Sequence, residues 1–360
     1  MKPRHPIERF LLEQAEESAT GLVKAAAAAF GVTRQAVHRH VQALLKSGEL
    51  QARGRTRDRQ YVLGFRVIDE FSLPLRGGPP EDVVWRDRIE PHLAELPENV
   101  RSIWHYGFTE MFNNAIDHSG GHGIFVGFGQ EGLKKCLLLR DDGEGIFRKI
   151  QRELSLPDER TAISELAKGK LTTDPERHTG EGIFFTSRVF DEFSISSHGL
   201  LFSHKHRQAK DHLFDMTAQE AGTTVWMDQA DESPRLLKDI FDAYTTQDGE
   251  FEFSKTIVAL KLVRYEGEKL VSRSQAKRLV TRFEKFKEVV LDFTGITSVG
   301  QAFADEVFRV FSIANPATAL IPVNMNEEVT RMVSRAQSAA ILAKQARVAK
   351  EAGQGDLPLE

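Results

Sequence analysis

The run from Gly107 to Gly145 constrains the fold more than any other part of the chain. It reads as a helix from about Val100 to Ser119, stopped by Gly120-Gly121. Two strands follow, about 123–129 and 134–141, and the second leads straight into Asp141-Asp142-Gly143-Glu144-Gly145. On a helical wheel Phe108, Met111, Phe112 and Ala115 share one side, and Glu110, Asn114, Asp117 and His118 share the other. No Lys or Arg falls between Thr109 and His118, so this polar stripe lacks the mixed charges of an ordinary solvated face.

The chain has 360 residues, enough for two or three domains. At 41% apolar and 28% charged it has the make-up of a globular protein. No apolar run is long enough to cross a membrane, and the N-terminus has no apolar signal core. Cys136 is the only cysteine, which excludes an internal disulfide and suits a reducing cytoplasm. Without a Cys pair or a close His cluster, a structural zinc site is not expected. The net charge of −4 is uneven: residues 1–64 hold eleven Lys/Arg against six Asp/Glu. A basic end on an acidic chain suits a polyanionic partner for that end alone.

Residues 1–64 read as three helices and a hairpin. The third helix runs from Thr33, a plausible N-cap, to a stop at Gly48. Its apolar stripe is Val37, Val41, Leu44 and Leu45, and its other face offers Arg34, Gln35, His38, Arg39 and Gln42. An arginine-rich hairpin follows, with Arg53, Arg55, Arg57 and Arg59 near its tip. This order resembles a winged helix-turn-helix. The resemblance implies that Arg34, Gln35, His38 and Arg39 read base edges in the major groove of double-stranded DNA, and that Arg55 and Arg57 touch backbone phosphate. A small helical domain with a solvated basic face is the plainer alternative. A Gly/Pro break in "LPLRGGPPEDVV" makes 65–84 a linker.

Further along come "HTGEGIFFTSRVFDEF", a Gly-rich turn opening a helix, and "GTTVWM", a late strand. Three boxes in this order resemble the GHKL superfamily, which includes gyrase, heat-shock chaperone, histidine kinase and mismatch-repair ATPases. Glu110, Asn114 and Ala115 match its Glu-x-x-x-Asn-Ala box, Asp141 to Gly145 its Asp-x-Gly-x-Gly box, Gly180-Glu181-Gly182 its second glycine box, and Thr223 its late threonine. The resemblance spans about 85–228 and implies a GHKL α/β sandwich, a mixed sheet with helices on one face, over residues 85–230. It implies ATP and Mg²⁺ as cofactors. Asn114 would be the metal ligand, since Mg²⁺ prefers oxygen donors and shares itself with phosphate. Asp141 would accept a hydrogen bond from the adenine amino group, with Gly143, Gly145 and Thr223 around the base. Gly180 and Gly182 would offer backbone N–H groups to phosphate at a helix start. Glu110 would act as the base that activates water, or would only hold metal-bound water. His118 would contact lid and phosphate or close the helix end. Lys168, Lys170, Arg177 and His178 fall in the segment that forms the mobile lid; any could reach phosphate, Lys170 among them, or serve as a solvated lid charge.

The last third alternates as β-α-β-α-β, which predicts a small α/β domain with a largely parallel sheet over 250–347, followed by a tail over 348–360. The stretch "LDFTGITSVGQAFADEVFR" resembles STAS-like domains. Where antagonists of that fold place a phosphorylated serine, the chain has Val299-Gly300-Gln301-Ala302, with Ser298 off register. A protein-interaction or dimerisation role follows. The expected molecule is therefore multidomain: winged helix (α+β), GHKL sandwich and STAS-like α/β domain. As a whole it reads as a nucleotide-switched, homodimeric DNA-binding regulator with a protein partner and slow ATPase activity. The competing reading is an anti-sigma-like serine or histidine protein kinase, and a third is a nucleotide-binding scaffold without turnover.

Overall fold

The computed structural model of the chain describes residues 4–55, 59–171, 180–206, 210–217, 220–245, 253–262 and 269–353. In chain order, α1 (Pro6–Glu17), α2 (Leu22–Phe30) and α3 (Arg34–Lys46) precede β1 (Leu50–Arg53), β2 (Gln60–Leu63) and β3 (Phe65–Pro74). A short α4 (Glu81–Val84) leads through tighter and wider turns to α5 (Glu98–His118). Then come β4 (Gly123–Glu131), β5 (Lys134–Asp141), α6 (Ile146–Glu153), α7 (Glu159–Lys168), α8 (Gly182–Val189), β6 (Glu192–Ser197), β7 (Leu200–Lys205), β8 (Lys210–Asp215), β9 (Thr224–Ala230) and α9 (Leu237–Ala243). The last third holds β10 (Lys255–Ala259), α10 (Arg273–Val280), β11 (Glu288–Asp292), α11 (Gln301–Asp305), α12 (Ser312–Ala314), β12 (Ala319–Val323) and α13 (Glu327–Gly353).

The chain divides into two compact units, residues 1–149, 186–209 and 214–237 in the first and 150–185, 210–213 and 238–360 in the second. In the first, α3 starts on a real cap, with the Ala36 N–H donating to Thr33 Oγ1 at 3.2 Å. Val37, Val41 and Leu44 are buried against Leu11, Leu12, Leu22 and Tyr61. The strand after the hairpin is a difference from the sequence reading. Residues 65–74, part of the expected linker, form β3 and pair antiparallel with β4 from Phe65↔Glu131 to Pro74↔Gly123. Alternation in "FRVIDEFSLP" is blurred by a register shift between Val67 and Asp69, and both faces are largely open, so no apolar period marks the strand.

The large sheet has the order β3-β4-β5-β9-β6-β7-β8. A mixed sheet was expected; the described pairings among β3, β4, β5, β9, β6 and β7 are instead all antiparallel. The reason is topological. A helical crossover makes β5 and β6 point the same way, but β9 enters between them and runs against both. Helix α5 buries Ile103, Trp104, Phe108, Met111 and Phe112. Gly107 allows the close approach, since a Cβ there would lie 2.3 Å from the Phe190 ring.

In the second unit β10, β11 and β12 form a parallel sheet, as the β-α-β-α-β order predicts. Ser272 and Gln275 close a capping box at the start of α10. Helix α13 runs on to Gly353, past the point where a tail was expected. Residues 150–185 belong to this unit, a grouping the linear sequence did not suggest. The cause is visible within the unit: Phe184 and Phe185 pack on Phe253, Tyr244 and Phe241, and Thr256 Oγ1 donates to the Lys168 carbonyl at 2.6 Å.

Candidate nucleotide site and nucleic-acid face

Asp141 ends β5 and is buried. Its Oδ1 accepts the Gly143 N–H at 2.9 Å and the Thr223 N–H at 3.2 Å. Thr223 Oγ1 in turn accepts the Ile146 N–H at 3.0 Å, so three of the sequence-selected positions interlock around one turn. Burial raises the Asp141 carboxyl above the usual carboxylate range, against the pull of those two N–H groups. Asp142, its neighbour in sequence, does a different job. Its Oδ1 accepts the N–H groups of His122 and Gly123 at 2.7 and 3.0 Å, which ties the end of α5 to the turn and holds its carboxyl low.

The two glycines of this turn are demanded first by the protein itself. A Cβ on Gly143 would sit 2.2 Å from the Ser119 carbonyl oxygen, and Gly145 has φ +88° with the side chains of Ser197 and His198 against it. Gly222, unremarked in the sequence, has φ +80° and would place a Cβ 2.1 Å from the Asp141 carbonyl oxygen.

On α5, Glu110 and Asn114 lie one turn apart, about 6 Å along the axis. Asn114 Nδ2 is buried and has no hydrogen-bond partner among the described residues. A buried amide left so is costly unless something else satisfies it. Glu110 lines an open cleft of about 570 Å³ with Arg101, Ser102, His105, Tyr106 and Thr109. His118 is half-buried, and its carbonyl accepts the Lys149 ammonium at 2.8 Å, a cation at the helix C-terminus where the dipole favours it.

Gly180 and Gly182 lie in the second unit. Gly180 has φ +73° and packs on the Leu171 backbone, whose N–H donates to its carbonyl at 3.0 Å. Lys170 is in the same unit, its ammonium donating to the Lys285 carbonyl at 3.3 Å and lying over the Phe253 and Phe286 rings. Lys168 departs furthest from the expectation of a solvated lid charge. It is fully buried and ion-paired with Glu165, which also pairs with Arg282 at 3.2 Å. Helix α7 is buried on every side from Ala162 to Lys168, so its cation had to find a partner inside. Arg177 and His178 lie outside the described residues.

Arg34, Gln35, His38 and Arg39 are all exposed and project from one side of α3, opposite the Val37–Val41–Leu44 stripe. Arg55 is exposed; Arg57 lies outside the described residues. Arg53 and Arg59 flank the hairpin, also exposed, with the Arg59 guanidinium 5.7 Å from the Tyr61 ring centre.

Three parallel strands with α10 and α11 between them, and Val299 buried at the start of α11, now stand beside the comparison with known families. Residues 275–330 match the STAS-like domain of unknown function (DUF4325). The match runs from the third residue of α10 to the first turn of α13. No curated protein matches the chain. In the STAS-like domain Gly300 caps α11 where a Cβ would lie 2.7 Å from Val271, so no side chain fits there, let alone a phosphorylated one. No helix among the described residues is long and apolar enough to cross a membrane.

Proposed function

We propose that this chain is an ATP-binding, ATP-hydrolysing DNA-binding regulator, with a GHKL-type nucleotide domain behind a winged helix-turn-helix. The single observation that carries the nucleotide reading is the buried Asp141 carboxylate locked between Gly143 and Thr223, with the unsatisfied Asn114 amide on the neighbouring helix. A buried acceptor fixed at one oxygen suits the amino group of adenine and disfavours guanine, which carries a carbonyl at that position. The Asn114 Nδ2 left without a partner is an N–H donor, so it suits a phosphate oxygen, while Asn114 Oδ1 would be the atom to hold the metal. Among the described residues no cluster of His, Cys, Asp and Glu could hold a metal unaided, so Mg²⁺ would reach Asn114 as the salt of the triphosphate. When bound, the metal would neutralise phosphate charge. To Glu110, one turn before Asn114 on α5, this reading assigns the task of orienting and deprotonating water. The basic, exposed face of α3 supports the DNA reading, because phosphate attraction and base contacts both call for Arg and Gln.

ATP with Mg²⁺ at roughly 100 times Kd should stabilise the protein by about 2.7 kcal/mol. GTP should do so far less, and Asn114→Ala should lose most of the gain. Thermal melting of the full chain with each nucleotide checks this, and equal shifts with ATP and GTP would remove the adenine assignment.

A further inference from the structure

Two adjacent residues absent from every motif hold both walls of the candidate base pocket. Strands β6 and β7 are joined by a two-residue turn, His198-Gly199, with Ser197↔Leu200 as the last pair. Both turn residues have positive φ, 48° and 82°, the requirement of a tight hairpin turn that usually places Asn before Gly. A histidine in the left-handed region is uncommon, and such a conformation persists where surrounding contacts over-determine it. Here they do. His198 Nε2 lies 2.8 Å from the Glu144 carbonyl, which can only accept, so this nitrogen carries the proton. Its backbone N–H donates to the Glu220 carbonyl at 3.3 Å. Ser197 Oγ, buried, donates to the Gly222 carbonyl at 2.8 Å. Glu144 belongs to the glycine turn on one side of Asp141; Gly222 immediately precedes Thr223 on the other.

We infer that Ser197 and His198 are positioning residues which set the orientation of the Asp141 carboxylate and so the base selectivity of the nucleotide site; this deepens the ATP reading and rests on it. Asp141 Oδ1 is shared by the N–H groups of Gly143 and Thr223, so a shift of either wall rotates the carboxylate. Both walls are gripped from one hairpin. The grip keeps the outward oxygen aimed at the amino group of adenine, and loosening it lets the carboxylate turn toward either base.

His198→Asn separates this role from a merely structural one. Asparagine suits the left-handed turn at least as well as histidine but is too short to reach the Glu144 carbonyl. The apo melting temperature should hold, while the ratio of ATP to GTP affinity, measured by calorimetric titration of the full chain, should fall about tenfold, the scale of one lost hydrogen bond in a buried site. Ser197→Ala should lower the same ratio. Where wild-type protein prefers ATP and His198→Asn retains the full preference, the clamp is wrong and the adenine pocket stands. Where wild-type protein shows no preference, the pocket itself is wrong and the clamp falls with it.

Discussion

A single carboxylate in the middle of the large sheet illustrates how burial sets a residue's chemistry. Asp228 lies on β9, where Trp226 Nε1 donates to its Oδ2 at 3.4 Å, and its Oδ1 is buried without a hydrogen-bond partner among the described residues. Burial pushes its pKa up to about 6, with Lys134 pulling the other way. An acid whose folded pKa exceeds its unfolded value favours the fold below the unfolded pKa, near 4, and loses that contribution as pH rises through 6. Integrated over that window the loss is about 3 kcal/mol at most. Asp228→Asn should therefore flatten the pH dependence of stability between about pH 4 and 6 and should be as stable as wild type, or more so, at pH 7–8. Chemical denaturation at a series of pH values tests this; an unchanged wild-type slope in the variant would refute the assignment. The sequence "VWMDQA" gave no warning, since alternation sets Asp228 on the same face as Thr224, Trp226 and Ala230, which are only half-buried.

At the scale of elements, α7 shows what pattern reading misses. The segment "ERTAISELAK" carries Glu159, Arg160, Glu165 and Lys168 around Ile163 and Leu166, a pattern that suits a helix with one solvated face. It is instead buried, and Glu165 serves two cations, Lys168 beside it and Arg282 more than a hundred residues away in sequence. Arg282 also donates to the Gly169 carbonyl at 2.8 Å, so it closes the helix C-terminus. Burial lowers the pKa of both Lys168 and Arg282, and Glu165 opposes that in each case. Removing one partner of a buried pair costs more than the pair contributes. Glu165→Gln should destabilise the second unit by roughly 3–5 kcal/mol, and more than Lys168→Met, because the first change strands two cations and the second leaves Glu165 with Arg282. Urea unfolding followed by a probe in the STAS-like domain should rank them so. The reverse order would mean that Lys168, not Glu165, organises the cluster.

At the scale of the molecule, the first unit joins the proposed DNA-reading helices to the candidate nucleotide site through the strand pair β5–β9. Asp141 and Thr223 stand at one end of that pair, and Lys134 and Asp231 at the other, about 23 Å away by the rise of a strand. At the far end Lys134 pairs with Glu16 of α1 at 2.6 Å, Arg9 of α1 with Glu232 at 2.8 Å, and Leu133 packs on the helical core. Under the proposed function, nucleotide should shift operator affinity by about 5–150-fold, a coupling of 1–3 kcal/mol. DNA titrations with no nucleotide, ADP and a non-hydrolysable ATP analogue measure it, and Lys134→Met should reduce the shift while sparing each binding event. Equal affinities in all three states, with nucleotide shown to be bound, would dismiss the switch.

The helices of the first 64 residues, helix α5 with its buried face, the β4–β5 hairpin and the parallel order of the last sheet were legible in the chain because each is encoded by neighbours: caps, glycine stops and apolar residues at a period of 3.6 or 2. Asp141, Gly143 and Thr223 are singled out through the GHKL resemblance, and the fold brings them together around one turn. What tertiary structure alone decided has no local mark. β3 became a strand because β4 offered it an edge, not because its own pattern demanded one. β9 parted β5 from β6 and made the sheet antiparallel. Asp142 and Asp141 look alike in sequence, yet one is exposed and ties a loop while the other is buried and holds the Gly143 and Thr223 N–H groups. Ser197 and His198 acquire their role only when β6 and β7 bring a turn against carbonyls more than 20 and 50 residues away. Lys168 reads as a surface charge and folds as a buried one, because the Thr281 carbonyl that accepts its ammonium at 3.0 Å, and the Arg282 that shares its partner Glu165, arrive from a part of the chain that no window around α7 contains.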